Sequence, residues 1–245
     1  MGQFRPLDAA QRTDAGWTEN LPFVIVLGAF AIYTTWRALA GNYYWTDPYL
    51  SPFYSPLIDA DHHFWPFSPA ILILWGPLGF RMTCYYYRKA YYRAFCDPPA
   101  CAISERSGKK YSGETAFPFL LQNFHRYFFY VSLIFIAALW YDAIRAFFFP
   151  NGFGVGVGTV IMMVNIIFLS LYTFSCHSWR HLIGGKLDCF SCTAFGPPRH
   201  AVWGWVSRLN ERHMLWAWIS MISVGLTDLY IRLVASGAIR DIRLL

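Results

Sequence analysis

The stretch SCHSWRHLIGGKLDCFSC, residues 175–192, sets two histidines four apart ahead of a Cys-x-x-Cys. Four residues is about one helical turn, so His177 and His181 share a helix face. Gly184 and Gly185 let the chain turn back, so that Cys189 and Cys192 can approach the two rings. Imidazoles and thiolates together are ligands of zinc and of iron–sulfur clusters, and two Cys on one iron with two His on the other make a Rieske-type [2Fe–2S] centre. The soluble Rieske spacing, Cys-x-His with Cys-x-x-His, is absent. The reading is therefore of an unorthodox mixed Cys/His [2Fe–2S] centre.

His125, His213, Cys96 and Cys101 (the last two in CDPPAC) are substitutes for members of that set. A single haem b is the alternative, with axial ligands His125 and His177, or His177 and His213, from different helices. A four-thiolate cluster or zinc site made by Cys96, Cys101, Cys189 and Cys192 is the main competitor. Two haems would need four histidines at two depths, and the first two apolar stretches contain none. Cys84 and Cys176, inside apolar runs, read as small core residues. His62, His63 and His200 read as hydrogen-bonded interfacial anchors.

The elements that must position these groups are membrane spans. The 245 residues are 56% hydrophobic and 14% charged, against roughly 25% charged in an ordinary soluble domain. Five apolar stretches approach the roughly 20 residues that cross a bilayer, at about 21–39, 66–88, 117–149, 156–182 and 208–236. The expected fold is an all-α integral membrane protein, one domain over residues 1–245, with five transmembrane helices and cytoplasmic loops at 89–116 and 183–207. A cleavable signal is not expected, because the first twenty residues are polar and the first apolar run is long enough to span.

Lys and Arg set the direction. Thirteen of them, including Arg88, Lys89, Arg93, Lys109, Arg208 and Arg212, fall on the N-terminal side; the other side has five, and its loop 40–65 has none. The N-terminus is therefore expected in the cytoplasm and the C-terminus outside, in a bacterial inner (plasma) membrane. The net charge of +6 is a product of this bias and not a sign of nucleic-acid binding. On that topology the candidate ligands gather at the cytoplasmic face, where paired cysteines more often mean metal or redox chemistry than disulfides.

Ionisable residues inside spans are functional candidates by default. Arg81 (PLGFRMTC) and Arg126, with His213, are candidates to hold a quinone. Asp142 and Asp228 lie in the outer halves, and Asp142 has Arg145 one turn away as a partner for an ion pair. The runs YYYRKAYYRAF and RYFFY read as packing and interfacial girdle, although an aromatic slot beside a redox centre is also what a quinone ring needs.

Five helices in 245 residues, a cytoplasmic N-terminus, histidines inside helices and no soluble domain resemble the membrane-anchor (cytochrome b-type) subunit of succinate:quinone oxidoreductase or fumarate reductase, respiratory complex II. The resemblance covers the whole chain in topology and size. It implies that an iron–sulfur subunit and a flavoprotein dock on the cytoplasmic face, and that electrons pass through the anchor to a membrane quinone. Five-helix members of that family usually carry two haems with ligands from four helices. Here the matching histidines are missing from the first two spans, so the Cys/His centre is expected in their place. The chain has no nucleotide-binding glycine loop of its own. Three other readings share parts of this pattern: the anchor of a nitrate reductase-type or heterodisulfide reductase-type complex, a small transporter with Arg81, Asn165, Asp142 and Asp228 along its path, and a zinc-stapled scaffold.

Overall fold

The computed structural model describes residues 21–58, 68–87, 90, 123–185 and 187–245. Helix α1, Leu21–Ala40, is apolar along its length and ends where Gly41 takes a left-handed conformation (φ 61°), the usual way to stop a helix without a Cβ clash. A hairpin of β1 (Trp45–Thr46) and β2 (Tyr49–Leu50) follows, in the register Trp45↔Leu50, with a 3-10 turn at Pro52–Tyr54. Tyr49, Leu50, Phe53 and Tyr54 are buried, so this loop forms part of the core.

Helix α2, Pro69–Thr83, starts on a Ser68 cap with proline at the first helical position, where its missing N–H costs nothing. Helix α3 runs over His125–Arg145 and leads into a second hairpin, β3 (Phe148–Phe149) with β4 (Gly152–Phe153). Helix α4 is Val157–Phe174, α5 the short His177–Arg180, then a π turn at His181–Gly185, α6 Gly196–Glu211 and α7 His213–Ala235.

Four of these, α1, α3, α4 and α7, are long and apolar enough to cross a membrane. The expected second span is the exception: α2 has 15 residues, short of the roughly 20 required, because the backbone breaks at Cys84 before resuming helix at Tyr85–Tyr87. Three other boundaries also differ. The 117–149 stretch ends as helix at Arg145, where the β3–β4 hairpin begins. The 156–182 stretch breaks at Cys176. The 208–236 stretch starts at His213, with Arg212 separating it from α6, so the expected loop 183–207 is partly helical. At Cys84, Arg145 and Cys176 apolar residues continue past the boundary, and hydropathy alone does not mark a one-residue break; the start at His213 instead follows the polar run Arg208–Arg212.

One end of the bundle carries Thr83, His125, Phe174 and His213, the other Pro69, Arg145, Val157 and Ala235; these are called the His125 end and the Asp142 end. Gly76 lets α2 lie close on α3, since a Cβ there would come within 2.5 Å of the Phe135 ring, the small-residue approach typical of membrane helices. At the Asp142 end, Asp228 and Arg232, both buried, pair at 2.9 Å. Tyr33 donates to the same carboxylate at 2.6 Å and Ser51 donates to it too, while Arg232 donates to the carbonyls of Asn42 and Arg37. This network ties α1 and the first hairpin to α7. The C-terminal tail closes the same end: Asp241 accepts from the Tyr49 and Tyr230 hydroxyls (2.5 and 2.7 Å) and from the Gly158 N–H (3.0 Å), so a carboxylate caps the N-terminus of α4.

Candidate metal centre

Two helical segments break at a cysteine. After α2, Cys84 is extended (φ −67°, ψ 132°); between α4 and α5, Cys176 is extended in the same way (φ −64°, ψ 142°). Both are buried and belong to one core cluster at the His125 end. Irregular backbone at membrane depth is tolerated only inside protein or beside a cavity. In sequence each cysteine directly follows a hydroxyl residue, Thr83 or Ser175.

The imidazoles that open α3 and α7 face these breaks. Thr83 Oγ1 donates to the Gly79 carbonyl at 2.7 Å and lies 2.9 Å from His125 Nδ1. With its only proton committed, the hydroxyl accepts from Nδ1–H, since a neutral imidazole carries one N–H. The ring's lone pair is then on Nε2, which sits 3.0 Å from Cys176 Sγ. His213 repeats the pattern. Ser175 Oγ donates to the Tyr172 carbonyl at 3.1 Å and lies 2.6 Å from His213 Nδ1, while His213 Nε2 faces Cys84 Sγ at 3.6 Å. Each histidine is thus tied by a hydroxyl to one broken helix and faces the thiol of the other.

Aromatic rings fix the planes. Phe80 stacks on His125 at 4.7 Å and Tyr172 on His213 at 5.1 Å. Arg81, held by Tyr87, the Ala217 carbonyl and Ser220, lies over the Tyr172 ring at 4.9 Å. The Tyr172 hydroxyl is buried without a hydrogen-bond partner among the described residues. Among the described residues no three of His, Cys, Asp and Glu converge on a single point. The four groups come as two Cys–His pairs at one end of the bundle.

The other expected ligands lie elsewhere. Cys189 and Cys192 are joined in a disulfide, their Cα atoms 5.4 Å apart, because Cys-x-x-Cys spacing lets the sulfurs reach each other first. His177 and His181 are exposed with ring centres 6.4 Å apart, and the structure does not bring them to that cysteine pair. His200 packs between Phe190 and Trp203. Cys96, Cys101, His62 and His63 lie outside the described residues. Of the quinone candidates, Arg81 has its donors on α7 and Tyr87, His213 has both nitrogens engaged, and Arg126 is exposed beside Tyr127. The ion pair expected between Asp142 and Arg145 is not formed: among the described residues Asp142 is bonded to Ser55 instead, at 2.5 Å.

The residues that sequence reasoning passed over are Cys84 and Cys176. The available signal was the repeated hydroxyl–cysteine dipeptide, TC and SC, inside two apolar runs.

The sequence matches the family model of the actinobacterial succinate dehydrogenase subunit SdhC over residues 18–237. The chain belongs to the SdhC family. A solved structure, the Mycobacterium smegmatis Sdh1 complex in the apo form, contains a chain 47% identical to this SdhC, with a TM-score of 0.85 and coverage of 96% of this chain and 94% of that one. No curated protein matches it. An SdhC is one subunit among others of a succinate dehydrogenase, and with four apolar helices this one is a multi-pass protein of a bacterial inner membrane.

Proposed function

We propose that this SdhC is the membrane anchor and electron-transfer subunit of a succinate:quinone oxidoreductase, and that Cys84, Cys176, His125 and His213 hold a mixed Cys/His [2Fe–2S] centre. The observation that carries the reading is the pair of fixed tautomers: two buried imidazoles, each locked by a hydroxyl at Nδ1, present Nε2 to two buried thiols. Metal-bound histidines commonly have their second ring nitrogen held in this way. When bound, such a centre takes up and passes on single electrons.

The chain's own groups prepare the place. Thr83 and Ser175 keep the ligating nitrogens unprotonated, and Phe80 and Tyr172 keep water out. The Tyr172 hydroxyl, in the same cluster as Cys84 and without a partner among the described residues, has a proton free to donate to a thiolate. Arg81 adds a positive charge that offsets the charge of two thiolates. Arg126, exposed and without a hydrogen bond among the described residues, has donors free for a quinone carbonyl. A haem between His125 and His213 would need open space at each Nε2, where a sulfur stands instead.

On the charge bias the His125 end lies in the cytoplasm; counting α2 with its Tyr85–Tyr87 extension as a passage beside the four long apolar helices makes five. At that end α6 exposes Val202 and Trp205, with Phe195 just before it and Arg208 and Arg212 at its far end. This apolar and basic surface suits an iron–sulfur subunit with its flavoprotein.

The test is iron content and low-temperature EPR of the complex purified through this chain. Cys84→Ser or His213→Ala should lose the reduced [2Fe–2S] signal. A signal that survives both replacements, or that vanishes with Cys189→Ser instead, refutes the assignment.

A further inference from the structure

At the Asp142 end, the first hairpin and the last turns of α3 enclose a cavity of about 200 Å³, lined by Trp45, Leu50, Leu57, Ala138, Tyr141, Asp142 and Arg145 among others. Two opposite charges face it without meeting. Asp142 is 8% exposed and, among the described residues, one of its side-chain oxygens has Ser55 as a donor while the other has none. Arg145, three residues on along the same helix, makes no hydrogen bond or ion pair among the described residues. A carboxylate this buried is stable only with charge or hydrogen-bond partners, and it can accept more donors than the one found among the described residues.

We propose that this cavity binds the headgroup of a zwitterionic glycerophospholipid of the ethanolamine class, its phosphate on Arg145 and its ammonium on Asp142. Each charge of the pair selects against a simpler ligand. A bare anion would meet the carboxylate, and a bare cation would meet the guanidinium. The ammonium also lies at a helix C-terminus, where positive charge is favoured.

The source is a lipid and not a free solute because of where the cavity lies. It opens at the end of a 21-residue apolar helix, the depth of the headgroup layer. Trp45 and Tyr141 stand half exposed at its lining, 50% and 65%, as amphipathic rings do at that level. The Leu50, Leu57 and Ala138 walls give the glycerol end an apolar path toward the acyl region.

The experiment uses the whole complex purified through this chain. Retained lipids are extracted and quantified by mass spectrometry; delipidated complex is then titrated with phosphatidylethanolamine, phosphatidylcholine, phosphatidylglycerol or soluble phosphoethanolamine while the thermal midpoint is followed. The expected result is retention of ethanolamine lipid and a midpoint raised by it alone. R145Q and D142N should each lower retention several-fold, and Ile167→Ala, on the exposed face of α4, should not. Phosphatidylglycerol acting equally well overturns the zwitterion assignment, and phosphoethanolamine acting equally well overturns the lipid source. Should either variant fail to assemble, the wild-type titration decides alone.

Discussion

Ser175 and His213 lie 2.6 Å apart, hydroxyl to Nδ1, yet the cysteine next to Ser175 faces the other imidazole. Thr83 and His125 are related in the mirror sense. The four helices are thereby cross-tied: α2 orients the ring that meets the cysteine after α4, and α4 orients the ring that meets the cysteine after α2. This interleaving makes the hydroxyls as informative as the proposed ligands.

Replacing the hydroxyls should loosen the rings without removing a ligand. Thr83→Val and Ser175→Ala are each expected to lower metal affinity by about 10–100-fold, the usual cost of losing the group that orients a ligating histidine. Loss of iron from the purified complex during a timed chelator challenge measures it.

The surface sulfur and histidine groups should be dispensable for the same signal. The double replacements Cys189→Ser/Cys192→Ser and His177→Ala/His181→Ala are expected to leave the reduced EPR spectrum unchanged. A loss in either variant would return the centre to the 175–192 stretch.

Asp228→Ala should be costly for stability. It leaves Arg232 buried and unpaired, which costs about 3–5 kcal/mol, and it removes the acceptor of Tyr33 and Ser51. Asp228→Leu with Arg232→Met is expected to cost less, since no charge is stranded. Thermal unfolding of the detergent-solubilised complex compares the two.

The tail clasp should show a pH signature. Burial, and then the hydrogen bond it donates to Asp241, push the Tyr49 hydroxyl up to about 12 from an ordinary 10.0. The neutral form is favoured in the fold, so its contribution is complete below pH 10 and is lost as pH rises toward 12. Thermal midpoints measured across that window should fall, and Tyr49→Phe should flatten the fall.

Much of the architecture is legible in the residue pattern. Apolar length locates the helices, and the gathering of thiols and imidazoles at one end follows from counting residues along them. His125 and His213 stand out as histidines at the starts of spans. The identity of the cysteines does not follow. Cys84 and Cys176 are one apolar residue each within apolar runs, and only the backbone break turns them inward. The Cys-x-x-Cys at 189–192 is the more conspicuous pattern, but its short spacing favours pairing with itself. The hairpins were also hidden, since Phe148, Phe149 and Phe153 continue the apolar character of α3 into β structure.

Cys84, His125, Cys176 and His213 come from four successive parts of the chain, and the last opens α7. Almost the entire polypeptide must be in place before the four can meet. For the proposed [2Fe–2S] centre this implies a fixed order of biogenesis: synthesis and insertion through residue 213, then delivery of iron and sulfide into a pocket whose hydroxyls already hold both rings. A nascent chain stalled on the ribosome before α7 would enter the membrane and remain colourless.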